Sequence, residues 1–306
     1  MTFQQLLNSE YGINDVLALR DLSKSGPCYQ IVTAERSYVL KQVDRLDFLN
    51  AYQKAQTVLK NHGLIQGSII PTKTNKLMTK SGYTLIEFVP GEAIETYTDE
   101  QFCSIIKHLY TYYQILREVP FAATEIEEVN NWDKLKSVAF MCRKVEEFLQ
   151  TFELDERVRW LLKRAQLVLS EHVDYFNRAP KQLIHADLGP GNIVFCDHTI
   201  KTIIDFTPEY DNELYALAQF LYWTCLWDFS ESASLARIRS TLTIYCDGDV
   251  PQEMPDGLFL YLLKACMFRI MGPLLNDSQN GEINIHKLQK RMAALETLFT
   301  IRQAIE

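Results

Sequence analysis

Four residues of this chain, His185, Asp187, Asn192 and Asp205, form a pattern with chemical meaning. They lie in Leu183-Ile184-His185-Ala186-Asp187-Leu188-Gly189-Pro190-Gly191-Asn192-Ile193-Val194-Phe195, followed by Thr202-Ile203-Ile204-Asp205-Phe206. The pattern is His-x-Asp, then Asn five residues after the Asp, then Asp-Phe closing a second apolar stretch. Asn192 offers a neutral amide oxygen and Asp205 a carboxylate, the hard oxygen donors that Mg²⁺ prefers alongside phosphates and water. Asp187 could accept the proton of an attacking hydroxyl. Together they suit transfer of a γ-phosphoryl group, whose loose transition state needs positioning and charge neutralisation more than covalent chemistry. His-x-Asp alone would be an ordinary turn before a strand. The joint pattern carries the reading, and His185 is expected to organise the loop rather than to react.

The elements around these residues must bring Asp205 back to Asn192. The apolar runs from Asn192 to Cys196 and from Ile200 to Ile204 read as a β-hairpin turning at Asp197-His198-Thr199. Upstream, Asp15 to Leu22, Cys28 to Ala34 and Ser37 to Val43 have strand character, with a tight turn at Ala34-Glu35-Arg36. Arg45 to His62 is helical in composition and Gly63 would stop it. Two more strands are expected at Lys76 to Lys80 and Tyr83 to Val89, joined at Ser81-Gly82, before Pro90-Gly91 ends the first lobe. Helices are expected over Thr98–Glu118, Trp132–Gln150, Glu156–Phe176, Glu213–Trp227, Ala233–Cys246, Gly257–Met271 and Ile285–Ile305. The fold class is therefore α+β: a small antiparallel-sheet lobe, residues 1–90, and a larger, mainly helical lobe, residues 91–306.

Composition narrows the function classes. A net charge of −8 argues against nucleic acid as a partner, since phosphate backbones are met by clustered Lys and Arg. Cys28, Cys103, Cys142, Cys196, Cys225, Cys246 and Cys266 are scattered with no Cys-x-x-Cys pair, as in a reduced cytoplasmic protein. The first residues lack the basic start and apolar core of a signal peptide. The apolar stretch from Ala216 to Trp227 is too short to cross a bilayer, so no membrane partner is expected.

The run from His185 through Asn192, with Ile204-Asp205-Phe206, resembles the aminoglycoside phosphotransferase, choline kinase and homoserine kinase superfamily. That resemblance implies a protein-kinase-like fold, Mg²⁺, ATP or GTP as co-substrate and a small hydroxyl-bearing acceptor. It places Lys41, late in the third strand, on the nucleotide phosphates. It assigns the carbonyl of Glu87 and the amide of Val89 to the base edge of the nucleotide, with Ile86 lining the inner pocket. Ser25 and Gly26, between the first two strands, would offer backbone N–H groups to phosphate, although that loop is not glycine-rich.

One departure stands out. Relatives pair the strand lysine with a helix glutamate, and the stretch Phe48 to Leu59 contains none. Gln53 could bond the ammonium without neutralising it, and Asp44 or Asp47 could substitute from nearer the strand. A nucleotide-binding pseudokinase acting through a partner is therefore the alternative reading. A protein kinase proper is disfavoured, because Thr207 stands where Asp-Phe-Gly needs glycine and there is no Ala-Pro-Glu.

The acceptor is read from Glu209, Asp211 and Asp228, carboxylates that would favour an amino-bearing substrate. The competing explanation for the acids just before the next helix is its dipole. Trp223 and Trp227 share a helical face with Tyr222 nearby, an arrangement that is commonly core and could also hold an ammonium.

Overall fold

The computed structural model describes residues 2–23, 26–279 and 285–305. The strands β1 (Val16–Asp21), β2 (Cys28–Thr33), β3 (Ser37–Gln42), β4 (Ile69–Ile70) and β5 (Tyr83–Glu87) form one antiparallel sheet in the order β1-β2-β3-β5-β4. Helix α1 (Phe3–Leu6) closes one face, where Leu6 and Leu7 join Ile31, Leu40 and Leu85 in a small core. Helix α2 (Leu46–Asn61) follows β3 and stops where Gly63 takes φ +79°. Its buried Ala51, Ala55 and Leu59 belong to the larger core of the helical lobe.

That lobe contains β6 (Glu92–Ala93), α3 (Asp99–Leu116), α4 (Asn131–Leu135), α5 (Val138–Thr151), α6 (Glu156–Glu171) and α7 (Val173–Arg178). It continues with β7 (Gln182–His185), β8 (Ile193–Cys196), β9 (Thr199–Ile203), β10 (Pro208–Asp211), α8 (Glu213–Leu221), α9 (Glu231–Tyr245), α10 (Met254–Gln279) and α11 (Ile285–Ile305). A small antiparallel sheet lobe beside a larger helical lobe is the protein-kinase-like arrangement that the sequence implies. Helix α10 is apolar and long enough to cross a membrane by composition, yet 78% of its Met254–Leu275 window is buried inside the protein, as in a core helix.

Several elements differ from expectation for local reasons. Lys76–Lys80 is not a strand. Thr72 and Thr79 fold the chain into turns there, with Thr72 N–H on the Lys76 carbonyl and Thr79 N–H on that of Tyr83, and Asn75 at φ +58°. Ile69–Ile70 pairs with β5 instead. The helix expected over Trp132–Gln150 breaks at Ser137, which is extended and caps α5 by accepting from Phe140 N–H. The one expected over Glu156–Phe176 breaks at His172, between α6 and α7. The one expected over Glu213–Trp227 is α-helical only to Leu221; Tyr222–Leu226 then makes a π-turn closed by Trp227 N–H on the Tyr222 carbonyl. Helix α10 extends beyond the expected Gly257–Met271 at both ends and contains Pro273.

Candidate active site

The β8–β9 hairpin forms as its apolar runs dictate. Asp197 and His198 turn it, both left-handed at φ +48° and +63°, as a tight two-residue hairpin turn requires. Ile193 stands opposite Ile203, and the Ile204 N–H donates to the Asn192 carbonyl at 2.8 Å. Asn192 and Asp205 thus lie at the same end of the hairpin. Asp205 itself is left-handed, φ +57°, which turns it out of the strand direction.

His185 ties the two halves of the site together. It is fully buried, its Nε2 lies 3.2 Å from the Ile204 carbonyl, and Thr207 N–H faces its Nδ1 at 3.4 Å. This pairing fits a neutral ring with Nε2 protonated. Burial pushes its pKa below the ordinary value, against the pull of Asp187 nearby. Alongside, β7 pairs with β10, His185 opposite Pro208, and Ala186 N–H donates to the Thr207 carbonyl. The loop-organising role expected for His185 is thus given a bonding pattern.

Lys41 forms an ion pair with Asp205, both side chains partly exposed. Lys41 of the small lobe and Asp205 of the large lobe therefore meet directly, without a helix glutamate between them. Asp47 does not substitute for it: Arg45 holds Asp47 together with Asp133. Gln53 is exposed, and Tyr52 instead sends its hydroxyl to the Gly67 carbonyl at 2.6 Å and its ring to Phe206, centroids 5.8 Å apart. Helix α2 is thus coupled to the Asp-Phe segment by aromatic packing where relatives use a charge.

Asn192 Nδ2 donates to the Asp187 carbonyl at 2.7 Å, which leaves its Oδ1 as a free acceptor beside Asp205. No cluster of three His, Cys, Asp or Glu side chains able to hold a metal exists among the described residues. One amide oxygen and one carboxylate do fit Mg²⁺, which completes its shell with phosphates and water.

At the lobe junction the Glu87 N–H is used by the Ser68 carbonyl and the Phe88 N–H by that of Ser37. The Val89 amide makes no such backbone bond among the described residues. The Glu87 carbonyl lies against Gly67, where a Cβ would stand 2.4 Å from that oxygen. Gly67→Ala is accordingly expected to shift this junction, costing about 1–3 kcal/mol of stability by overpacking and weakening nucleotide binding. Urea unfolding and nucleotide titration check both effects; unchanged affinity would separate the junction from the nucleotide. Gly26 is exposed in the β1–β2 turn, and Ser25 lies outside the described residues.

The acidic residues proposed for the acceptor are placed differently. Glu209 and Asp211 are buried and line a separate cavity of about 450 Å³, with Asp133, Lys136 and Lys264 but none of Asp187, Asn192 or Asp205. Asp211 is ion-paired with buried Lys264, and Glu209 has Lys136 at 3.5 Å. Burial pushes the Glu209 carboxyl above its usual range, Lys136 offsetting only part of this. Asp228 is exposed, with Lys290 at 3.4 Å. The structure therefore does not bring Glu209 or Asp211 to the candidate base, because the alternation of β10 turns both inward against α4 and α10.

The residue that does meet Asp187 has no sequence signature. Arg269 of α10 donates from Nη2 to Asp187 Oδ1 at 2.6 Å and from Nε to Gln219 Oε1 at 2.9 Å. Burial would raise the Asp187 carboxyl, and Arg269 outweighs it, holding the pKa below the ordinary 3.8.

The phosphotransferase enzyme family matches residues 23–239, a span that includes Lys41, the catalytic loop and Asp205. This chain belongs to that family. No curated protein matches it significantly. Among solved structures, an aminoglycoside 2'-phosphotransferase-IIIa in a GDP complex is 16% identical, with TM-score 0.67, covering 97% of each chain. Amicoumacin kinase hAmiN is 13% identical, with TM-score 0.66, covering 92% of this chain and 88% of its own. The choline kinase LicA from Streptococcus pneumoniae is 14% identical, with TM-score 0.62, covering 97% and 98%. At these identities the likeness concerns the fold. Within this phosphotransferase, Arg269 lies beyond the matched span, 82 residues after Asp187, so only the packing of α10 against α8 reveals it.

Proposed function

We propose that this phosphotransferase is a small-molecule kinase that moves the γ-phosphoryl group of ATP or GTP onto a hydroxyl of its acceptor. The observation that carries the reading is one chain of contacts: Lys41 on Asp205, the strand end of Asp205 on Asn192, and Asn192 on the backbone of Asp187. In this reading residues 1–90 hold the nucleotide, and residues 91–306 supply the catalytic loop and acceptor site. Lys41 would release Asp205 to the metal and turn to the phosphates, and Val89 would receive the base. Mg²⁺, when bound by Asn192 Oδ1 and Asp205, would neutralise charge on the transferring phosphoryl group. Asp187 uses Oδ1 for Arg269 and leaves Oδ2 to orient the acceptor hydroxyl and take its proton. Solved relatives hold adenine nucleotides in some cases and GDP in others, which supports a nucleoside triphosphate donor without choosing its base. The carboxylates that suggested an amino-bearing acceptor are all ion-paired, so the acceptor is proposed here simply as a small hydroxyl compound.

The test is calorimetric titration with ATP and GTP, with and without Mg²⁺, on the wild type and Asp205→Ala. Binding that requires both the metal and Asp205 is the expected result. Nucleotide binding indifferent to both would favour the pseudokinase, a reading that the missing helix glutamate supports. Absence of binding would sink both.

A further inference from the structure

Asp187 meets a cation, Arg269 of α10, on one edge of its carboxylate. Arg269 is held there before any substrate arrives, through Gln219 on one edge and Asp187 on another. Its guanidinium stands 5.1 Å from the centroid of Trp223, whose indole lies 3.5 Å from the position of a Cβ on Gly189 in the catalytic loop. Its side chain is only 16% exposed, so it is fixed rather than freely solvated. The two bonds use two of the five N–H donors of a guanidinium, and the planar fork matches carboxylate and phosphate oxygens.

A second cation flanks the same aromatic group. Lys290 of α11 stands 5.7 Å from the Trp227 centroid, and the Trp223 and Trp227 rings are 5.3 Å apart. Each indole thus already has one of the protein's own cations within cation–π range, Arg269 at Trp223 and Lys290, itself paired with Asp228, at Trp227. Glu209 and Asp211, which could have attracted an ammonium, face a different cavity and are paired there.

The geometry points to an acceptor that carries an oxyanion, a carboxylate or phosphate group, beside the hydroxyl to be phosphorylated, with Arg269 as the specificity-determining residue. This rests on the kinase reading above and names its substrate class. In the ternary complex Arg269 bridges Asp187 and the substrate oxyanion, so the two negative groups do not face one another unscreened. The acceptor hydroxyl gives its proton to Asp187 Oδ2 while its oxygen bonds to the γ-phosphorus. The bond from that phosphorus to the β–γ bridging oxygen breaks, and the electron pair leaves on the nucleoside diphosphate.

Two acceptor series of matched scaffold and different charge make the test. One is glycerate, glycerol 3-phosphate, glycerol and 3-aminopropane-1,2-diol; the other is gluconate, glucose 6-phosphate, glucose and glucosamine. Binding to the protein with Mg²⁺ and a non-hydrolysable nucleotide is measured by calorimetry, and transfer by release of nucleoside diphosphate. A carboxylate or phosphate member is expected to bind about 10–100-fold more tightly than its neutral counterpart, the range of a charge-assisted hydrogen bond. Which of the two anions responds identifies the source of the oxyanion. Arg269→Gln should raise KM for the anion by the same factor and abolish the charge preference, and Arg269→Lys should restore part of it. Melting curves confirm that both variants fold.

A role confined to holding Asp187 would lower kcat for every acceptor alike and leave the KM ranking intact. That result would overturn the proposal, as would equal or better binding of the amine or neutral members, or no anion binding to the nucleotide complex. Loss of the kinase reading shows separately, as nucleotide binding by the wild type that ignores Mg²⁺ and Asp205.

Discussion

Asp187→Asn should lower kcat by about 10²–10⁴-fold, the usual contribution of a positioned general base, while leaving Mg²⁺-nucleotide affinity largely intact. The expectation follows from what Asp187 touches. Its Oδ1 is taken by Arg269 at 2.6 Å, and its backbone carbonyl by Asn192 at 2.7 Å, so the carboxylate is aimed without being a metal ligand. The Arg269 guanidinium beside it holds its pKa below the ordinary 3.8, so the group is ionised throughout the neutral range and is a weak base. A weak base suffices where the transition state is loose, because orienting the hydroxyl matters more than stripping its proton early. The asparagine keeps the shape and the bond potential of the loop but cannot accept the proton. Steady-state release of nucleoside diphosphate and calorimetry measure the two quantities. Turnover close to wild type would remove Asp187 from the chemistry.

Lys264→Ala should destabilise the protein by about 3–5 kcal/mol, the cost of leaving a buried charge without its partner. Lys264 is 2% exposed, forms an ion pair with Asp211, and stands 4.1 Å from the Tyr215 ring centroid. Removing the ammonium strands the Asp211 carboxylate in a low-dielectric setting beside Glu209, whose carboxyl burial already pushes up. The double replacement Asp211→Leu with Lys264→Met should recover much of the loss, since paired buried charges often exchange for apolar groups at little cost. Urea unfolding measures both. If Lys264→Ala were nearly as stable as wild type and instead changed acceptor affinity, these carboxylates would have to reach the substrate after all.

The two predictions separate residues that the sequence groups together. Asp187 follows β7 and Asp211 ends the strand β10 that pairs with it, yet one is exposed and the other buried. The β-hairpin, the turn at Asp197-His198, the ends of the sheet strands and the helical nature of the second lobe were all legible. Each depends on local terms: alternation, turn chemistry, capping residues and helix propensity. The expected strand at Lys76–Lys80 failed on a local term as well, because threonine side chains and the left-handed Asn75 supplied turns where composition suggested extension. The breaks at Ser137 and His172 were likewise hidden inside stretches whose composition is uniformly helical.

The candidate catalytic segment follows from local order alone. His185, Asp187, Asn192 and Asp205 lie within 21 residues, and a short hairpin must bring the last two together whatever surrounds it. The charge around Asp187 depends instead on long-range packing. The packing of α10 against α8 puts Arg269 on Asp187 and Lys264 against Asp211, and the end of α4 brings Lys136 beside Glu209. No local pattern encodes those partners, because a long-range ion pair depends on which faces of distant helices meet. The electrostatics around Asp187 are therefore a property of how distant helices pack.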